Sequence, residues 1–142
     1  MGMTAIISRP PAFADSTDSL LRFAMRLDAT LTGVLGLGIA AMGDPLARLT
    51  GLTAAQAYIV GAAFVLTGLV VYSLAATPDL RRIGTVMAIV NGVSAVAFTV
   101  VVEAGVLPLT TFGVIAVLAA GLYTAAFAVL QYFGVRRLEA RA

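Results

Sequence analysis

A chain of 142 residues that is 61% hydrophobic and 11% charged owns too little polar surface to coat a soluble core, for which about 25% charged residues is usual. A net charge of +2 gives no reason to expect a nucleic-acid partner. The absence of cysteine and histidine removes disulfide, thiol-redox and imidazole-ligand chemistry.

Residues 1–14, MGMTAIISRPPAFA, hold a Pro-Pro pair and no sustained period, so a loosely attached or disordered arm is expected there. The apolar stretch within it is too short for a signal-peptide core, and no cleaved leader is expected. Asp15 or Ser16 is placed to cap a helix opening near Ser19. Uncharged runs then cover 29–43, 49–78, 83–102 and 104–135. The last three exceed the roughly 18 apolar residues that signal a spanning helix, and the first reaches that length if it starts near Leu20.

The sequence therefore predicts an all-α integral membrane domain over 15–135, an antiparallel four-helix bundle with spans at about 20–42, 54–76, 82–103 and 110–133. An arginine-rich tail, 136–142, follows. Between the first two spans, Asp44-Pro45 opens a short helical turn that Gly51 ends. Thr53 and Gln56 form a capping-box pattern at the second span, and Thr77-Pro78 reads as the cap and first residue of the third.

All nine basic residues are arginine, which together with the abundant alanine, valine and glycine reads as the product of a GC-rich bacterial genome. Arg9, Arg22, Arg26, Arg81, Arg82, Arg136, Arg137 and Arg141 flank one side of the spans, and Arg48 alone flanks the other. Both termini should then be cytoplasmic, in a bacterial inner membrane.

Each span carries small residues at helical spacing, such as Ala24, Asp28, Thr32, Gly36 and Ala40 in the first and Ala116, Ala120, Thr124 and Ala128 in the fourth. Such seams let helix backbones approach in lipid. Asp28 shares its seam, so it should face the bundle, where a carboxylate needs a partner. Arg81, Arg82, Arg136 and Gln131 lie at a similar expected depth. A polar network of Arg22, Arg26, Asp28, Arg81, Arg82, Asn91, Gln131 and Arg136 is expected, structural in purpose. Asn91 lies well inside the third span, and a small-ligand cavity among Thr67, Asn91, Ser94, Thr99, Tyr123 and Thr124 is a candidate.

Absent residue types exclude more than the present ones assert. There is no histidine to hold haem and no cysteine pair for quinone-linked oxidation. No lysine or histidine stands by to activate a serine, no paired carboxylates are set for a metal, and no glycine loop cradles phosphate. No cofactor, metal site or catalytic residue is expected.

LRFAMRLDATLTGVLGLG in the first span and LQYFGVRRL after the fourth resemble the opening and closing patterns of a family of small bacterial four-span membrane proteins with no assigned activity. The resemblance covers roughly 20–138 and implies that Arg22, Arg26, Asp28, Asn91, Gln131, Arg136 and Arg137 form its polar set. The expected function is a non-enzymatic structural or accessory membrane protein, partnered by the bilayer and by a second copy or a larger membrane complex. A small proton- or cation-coupled transporter and a lipid- or quinone-binding module are the alternatives.

Overall fold

The computed structural model describes residues 18–142, and among them every regular element is helical: α1 (Ser19–Ala41), α2 (Gly43–Thr50), α3 (Ala54–Leu74), α4 (Leu80–Ala104) and α5 (Thr111–Glu139). The arm expected over 1–14 and the capping residues Asp15 and Ser16 lie outside the described residues. The N-cap position of α1 is Asp18.

Four of the helices, of 21 to 29 residues, run about 32 to 44 Å, against a hydrocarbon core of about 30 Å. Only 11% to 28% of the most apolar stretch of each is buried. Phe23, Val34, Ile59, Leu66, Val93, Ile115 and Leu122 all stand more than half exposed. Such a surface fits a multi-pass membrane protein, because water would have to solvate it otherwise.

The ends are set locally. The Thr53 hydroxyl accepts the Gln56 amide at 3.2 Å while Gln56 Oε1 accepts the Thr53 amide at 2.9 Å, closing a capping box on α3. Gly51 ends α2 at φ 84°, where a β-carbon would collide with the Pro108 carbonyl. Thr110 caps α5 by accepting the Gly113 amide at 3.0 Å, and its own hydroxyl donates to the Leu49 carbonyl. The start of α5 is thereby tied to the end of α2.

Two boundaries differ from the sequence reading. Thr77 closes α3 instead of capping α4: its hydroxyl donates to the Leu74 carbonyl at 2.8 Å, and Asp79 takes the N-cap position of α4. The last carbonyls of α3 lack intrahelical donors, and Thr77 supplies one. α5 also runs past 133 through Arg136 and Arg137 to Glu139, so most of the expected tail is helix. Cations in a last turn suit the negative end of the helix dipole.

α1 packs chiefly on α3 and α4 chiefly on α5; the two pairs meet mainly through α1 and α5. The order of packing is α3, α1, α5, α4. α3 and α4, consecutive in the chain, do not lie side by side. The α1–α3 contact is made by backbone. A β-carbon on Gly36 would sit 2.7 Å from the Gly61 carbonyl oxygen, and one on Gly68 would sit 2.6 Å from that of Ala29. Only hydrogen fits there, which is how apolar helices gain close dispersion contact in lipid. Where the pairs join, Leu21, Met25, Ala29, Val71, Ala75, Leu80, Met87 and Val135 form the core.

Candidate functional site

Asp28 lies nine residues beyond the start of α1, about 14 Å along the axis, on the face turned toward α5 and α4. It is 5% exposed, Asn91 7% and Gln131 0%. The Asp28 carboxylate is an acceptor, so both amides must present their NH2 groups to it. Asn91 Nδ2 donates to Asp28 Oδ2 at 2.8 Å, and Gln131 Nε2 donates to the same oxygen at 2.9 Å. Asn91 Nδ2 also donates to Gln131 Oε1 at 3.0 Å, closing a triangle across α1, α4 and α5.

The other carboxylate oxygen faces hydroxyls. Thr32 Oγ1 lies 3.3 Å and Tyr123 Oη 3.1 Å from Asp28 Oδ1. The two hydroxyls are 3.0 Å apart, and Tyr123 Oη also lies 3.0 Å from the Asp28 carbonyl oxygen. Tyr123 is held in place by its ring contact with Phe127, with centroids 4.8 Å apart. Among the described residues, no buried side-chain nitrogen or oxygen lacks a hydrogen-bond partner. The buried polar atoms of the cluster are therefore partnered from within the chain.

No arginine takes part, and each of the arginines expected in the network is placed elsewhere. Arg22 Nε pairs with Asp18 at 2.7 Å, while its Nη1 donates to the carbonyls of Ala75 at 2.8 Å and Thr77 at 3.2 Å. It thus satisfies the end of α3. Arg81 and Arg136 meet Glu139 at 3.1 Å and 3.4 Å, at exposed positions where such pairs contribute little. Arg26 and Arg82 are exposed and make no ion pair among the described residues. Long arginine stems carry their charge outward to water and headgroups, whereas short Asp28 stays inside.

The six positions named for a ligand cavity differ in exposure and in commitment. Thr67 and Thr99 are exposed, and Ser94 is half-buried. The Thr99 and Thr124 hydroxyls turn back onto the carbonyls of Ala95 and Gly121. Asn91 and Tyr123 are committed to Asp28. Sequence reasoning left Thr32 and Tyr123 out of the network. Both carried a usable signal: Thr32 is one helical turn from Asp28, and Tyr123 is eight residues, about two turns, from Gln131. Among the described residues no three carboxylates converge as a metal site would require.

No family model, curated protein or solved structure gives a match to this chain.

Proposed function

We propose that this is a non-enzymatic integral membrane protein of structural or accessory kind: an antiparallel helical bundle of the bacterial inner membrane with both termini cytoplasmic. The Asp28 cluster acts as the clamp between its two helix pairs. One observation carries this reading: both carboxylate oxygens lie within hydrogen-bond distance of side chains of the same chain, which tie α1 to α4 and α5. The α1–α5 contact is narrower than the contact within either pair, and the clamp sits across it. The bilayer is the primary partner, and a second copy or a larger membrane complex is the object of the accessory role.

Antiparallel packing is supported by register. Gly33 neighbours Gly68 whereas Gly36 neighbours Gly61, so numbering rises on α1 as it falls on α3. Orientation rests on the arginine distribution. Reporter fusions at residues 47, 80 and 106 should place only 80 with the termini; a cytoplasmic reporter at 47 would overturn that orientation.

The transporter alternative makes a different prediction for Asp28. Vesicles loaded with a pH-sensitive dye and reconstituted with wild type or Asp28→Asn should show the same slow proton leak. A proton conductance present in wild type and lost in Asp28→Asn would overturn the structural reading.

A further inference from the structure

A groove of about 490 Å³ runs along the outer face between α1 and α3, lined by Ser19, Arg22, Phe23, Arg26, Leu27, Thr30 and Tyr72. Its α1 positions recur every three or four residues, so they form one stripe. From Ser19 to Thr30 that stripe covers about 16 Å, close to half of a hydrocarbon core about 30 Å thick. Phe23 lies between the two guanidiniums along the axis, and Leu27 and Thr30 lie deeper than Arg26.

The charges are unequal in commitment. Arg22 is held by Asp18 and by two carbonyls at the end of α3. Its guanidinium is thereby fixed in place at the groove mouth. Arg26, one turn further on, is exposed and makes no hydrogen bond or ion pair among the described residues. Tyr72 faces them across the groove, more than half exposed, at the depth where tyrosine commonly meets headgroups. Among the described residues no carboxylate lines the groove, and Asp18 meets it only through its pair with Arg22. The comparable groove between α4 and α5 also holds a tyrosine and an arginine, Tyr132 and Arg136, but there a carboxylate, Glu139, is itself a lining residue and lies 3.4 Å from Arg136.

We infer that the α1–α3 groove is a binding site for one anionic phospholipid, with its phosphate at Arg26 and one acyl chain running past Leu27 and Thr30 toward the membrane interior. The unpaired Arg26 selects the anionic headgroup, and the position of the groove on a spanning helix selects a lipid over a soluble phosphate. The inference needs the spanning helices but not the clamp reading of Asp28.

The full chain in mild detergent is offered equal amounts of dioleoylphosphatidylglycerol and dioleoylphosphatidylcholine, and retained lipid is read by native mass spectrometry. Wild type should keep one phosphatidylglycerol in preference. Arg26→Gln should lower that retention about fivefold, whereas Arg137→Gln on the exposed end of α5 should leave it unchanged. Thr30→Phe, which fills the apolar end without altering charge, should lower retention too. Glycerol phosphate in excess should fail to displace the lipid. Arg22 is left intact because it also closes α3. Equal retention of the two lipids by wild type, equal loss in Arg26→Gln and Arg137→Gln, unchanged retention in Thr30→Phe, or displacement by glycerol phosphate would each overturn the site.

Discussion

Gly68→Leu is expected to destabilise the protein by about 3 kcal/mol or more, because the substituted side chain must displace backbone and not a flexible side chain. The three atoms nearest a β-carbon at Gly68 are the Ala29 carbonyl oxygen at 2.6 Å, Gly33 Cα at 2.8 Å and Gly33 N at 2.9 Å. None can rotate away. α1 must move off α3, and with it go the close contacts of Gly36 with Gly61 one and two turns along the seam. In lipid those dispersion contacts have no hydrophobic substitute, since acyl chains are as apolar as the helix faces they would replace. Gly38 supplies the comparison. Nothing lies within 4 Å of a β-carbon there, so Gly38→Leu should fall within about 0.5 kcal/mol of wild type or above it, as a better helix former. Thermal unfolding in one detergent, followed by circular dichroism, separates the two. Equal midpoints for Gly68→Leu and Gly38→Leu would remove the backbone seam from the account of how α1 and α3 hold together.

The spans were legible because uncharged runs of that length admit few other folds, and the capping residues around Thr53 were legible because their spacing is short-range. The pairing of helices was not. All four long helices own a small-residue seam, so composition cannot say that the Gly36 seam meets Gly61 while Gly121 meets Phe98 and Ala95. Depth was equally hidden. Arg81, Arg82 and Arg136 were expected level with Asp28, but Arg81 and Arg82 precede Asn91 by ten and nine residues, about 14 to 15 Å, and Arg136 follows Gln131 by five, about 8 Å. Asn91 and Gln131 could be placed near Asp28 because a buried amide needs a partner and few polar groups lie that deep. Thr32 and Tyr123 were missed as partners because threonine and tyrosine are also at home in unremarkable positions in spanning helices, so neither residue type demands an explanation by itself.

Asp28→Ala should cost about 2–3 kcal/mol, and Asp28→Asn less than about 1 kcal/mol, in unfolding measured in the same detergent. The difference follows from which atoms are left behind. Alanine removes the acceptor of Gln131 Nε2, its sole partner, inside a side chain that is 0% exposed. Asn91 loses one of two acceptors and keeps Gln131 Oε1 at 3.0 Å. Thr32 and Tyr123 keep each other, and Tyr123 keeps the main-chain carbonyl of residue 28. One orphaned donor, one half-satisfied donor and a small void together account for the estimate; transmembrane hydrogen bonds alone average about 0.6 kcal/mol. Asparagine can keep its own oxygen toward Asn91 and Gln131 and turn its NH2 toward the hydroxyls. Thr32 and Tyr123 accept as readily as they donate, and the Tyr123 proton can pass to the main-chain carbonyl 3.0 Å away. No cation is abandoned by the change, since no arginine touches Asp28. An Asp28–arginine pair would behave otherwise: removing its charge would strand a buried guanidinium and cost about 3–5 kcal/mol for asparagine as well as alanine. A large penalty for Asp28→Asn would therefore restore the ion pair. A small penalty for Asp28→Ala would show that the triangle of Asp28, Asn91 and Gln131 does not hold the two helix pairs together.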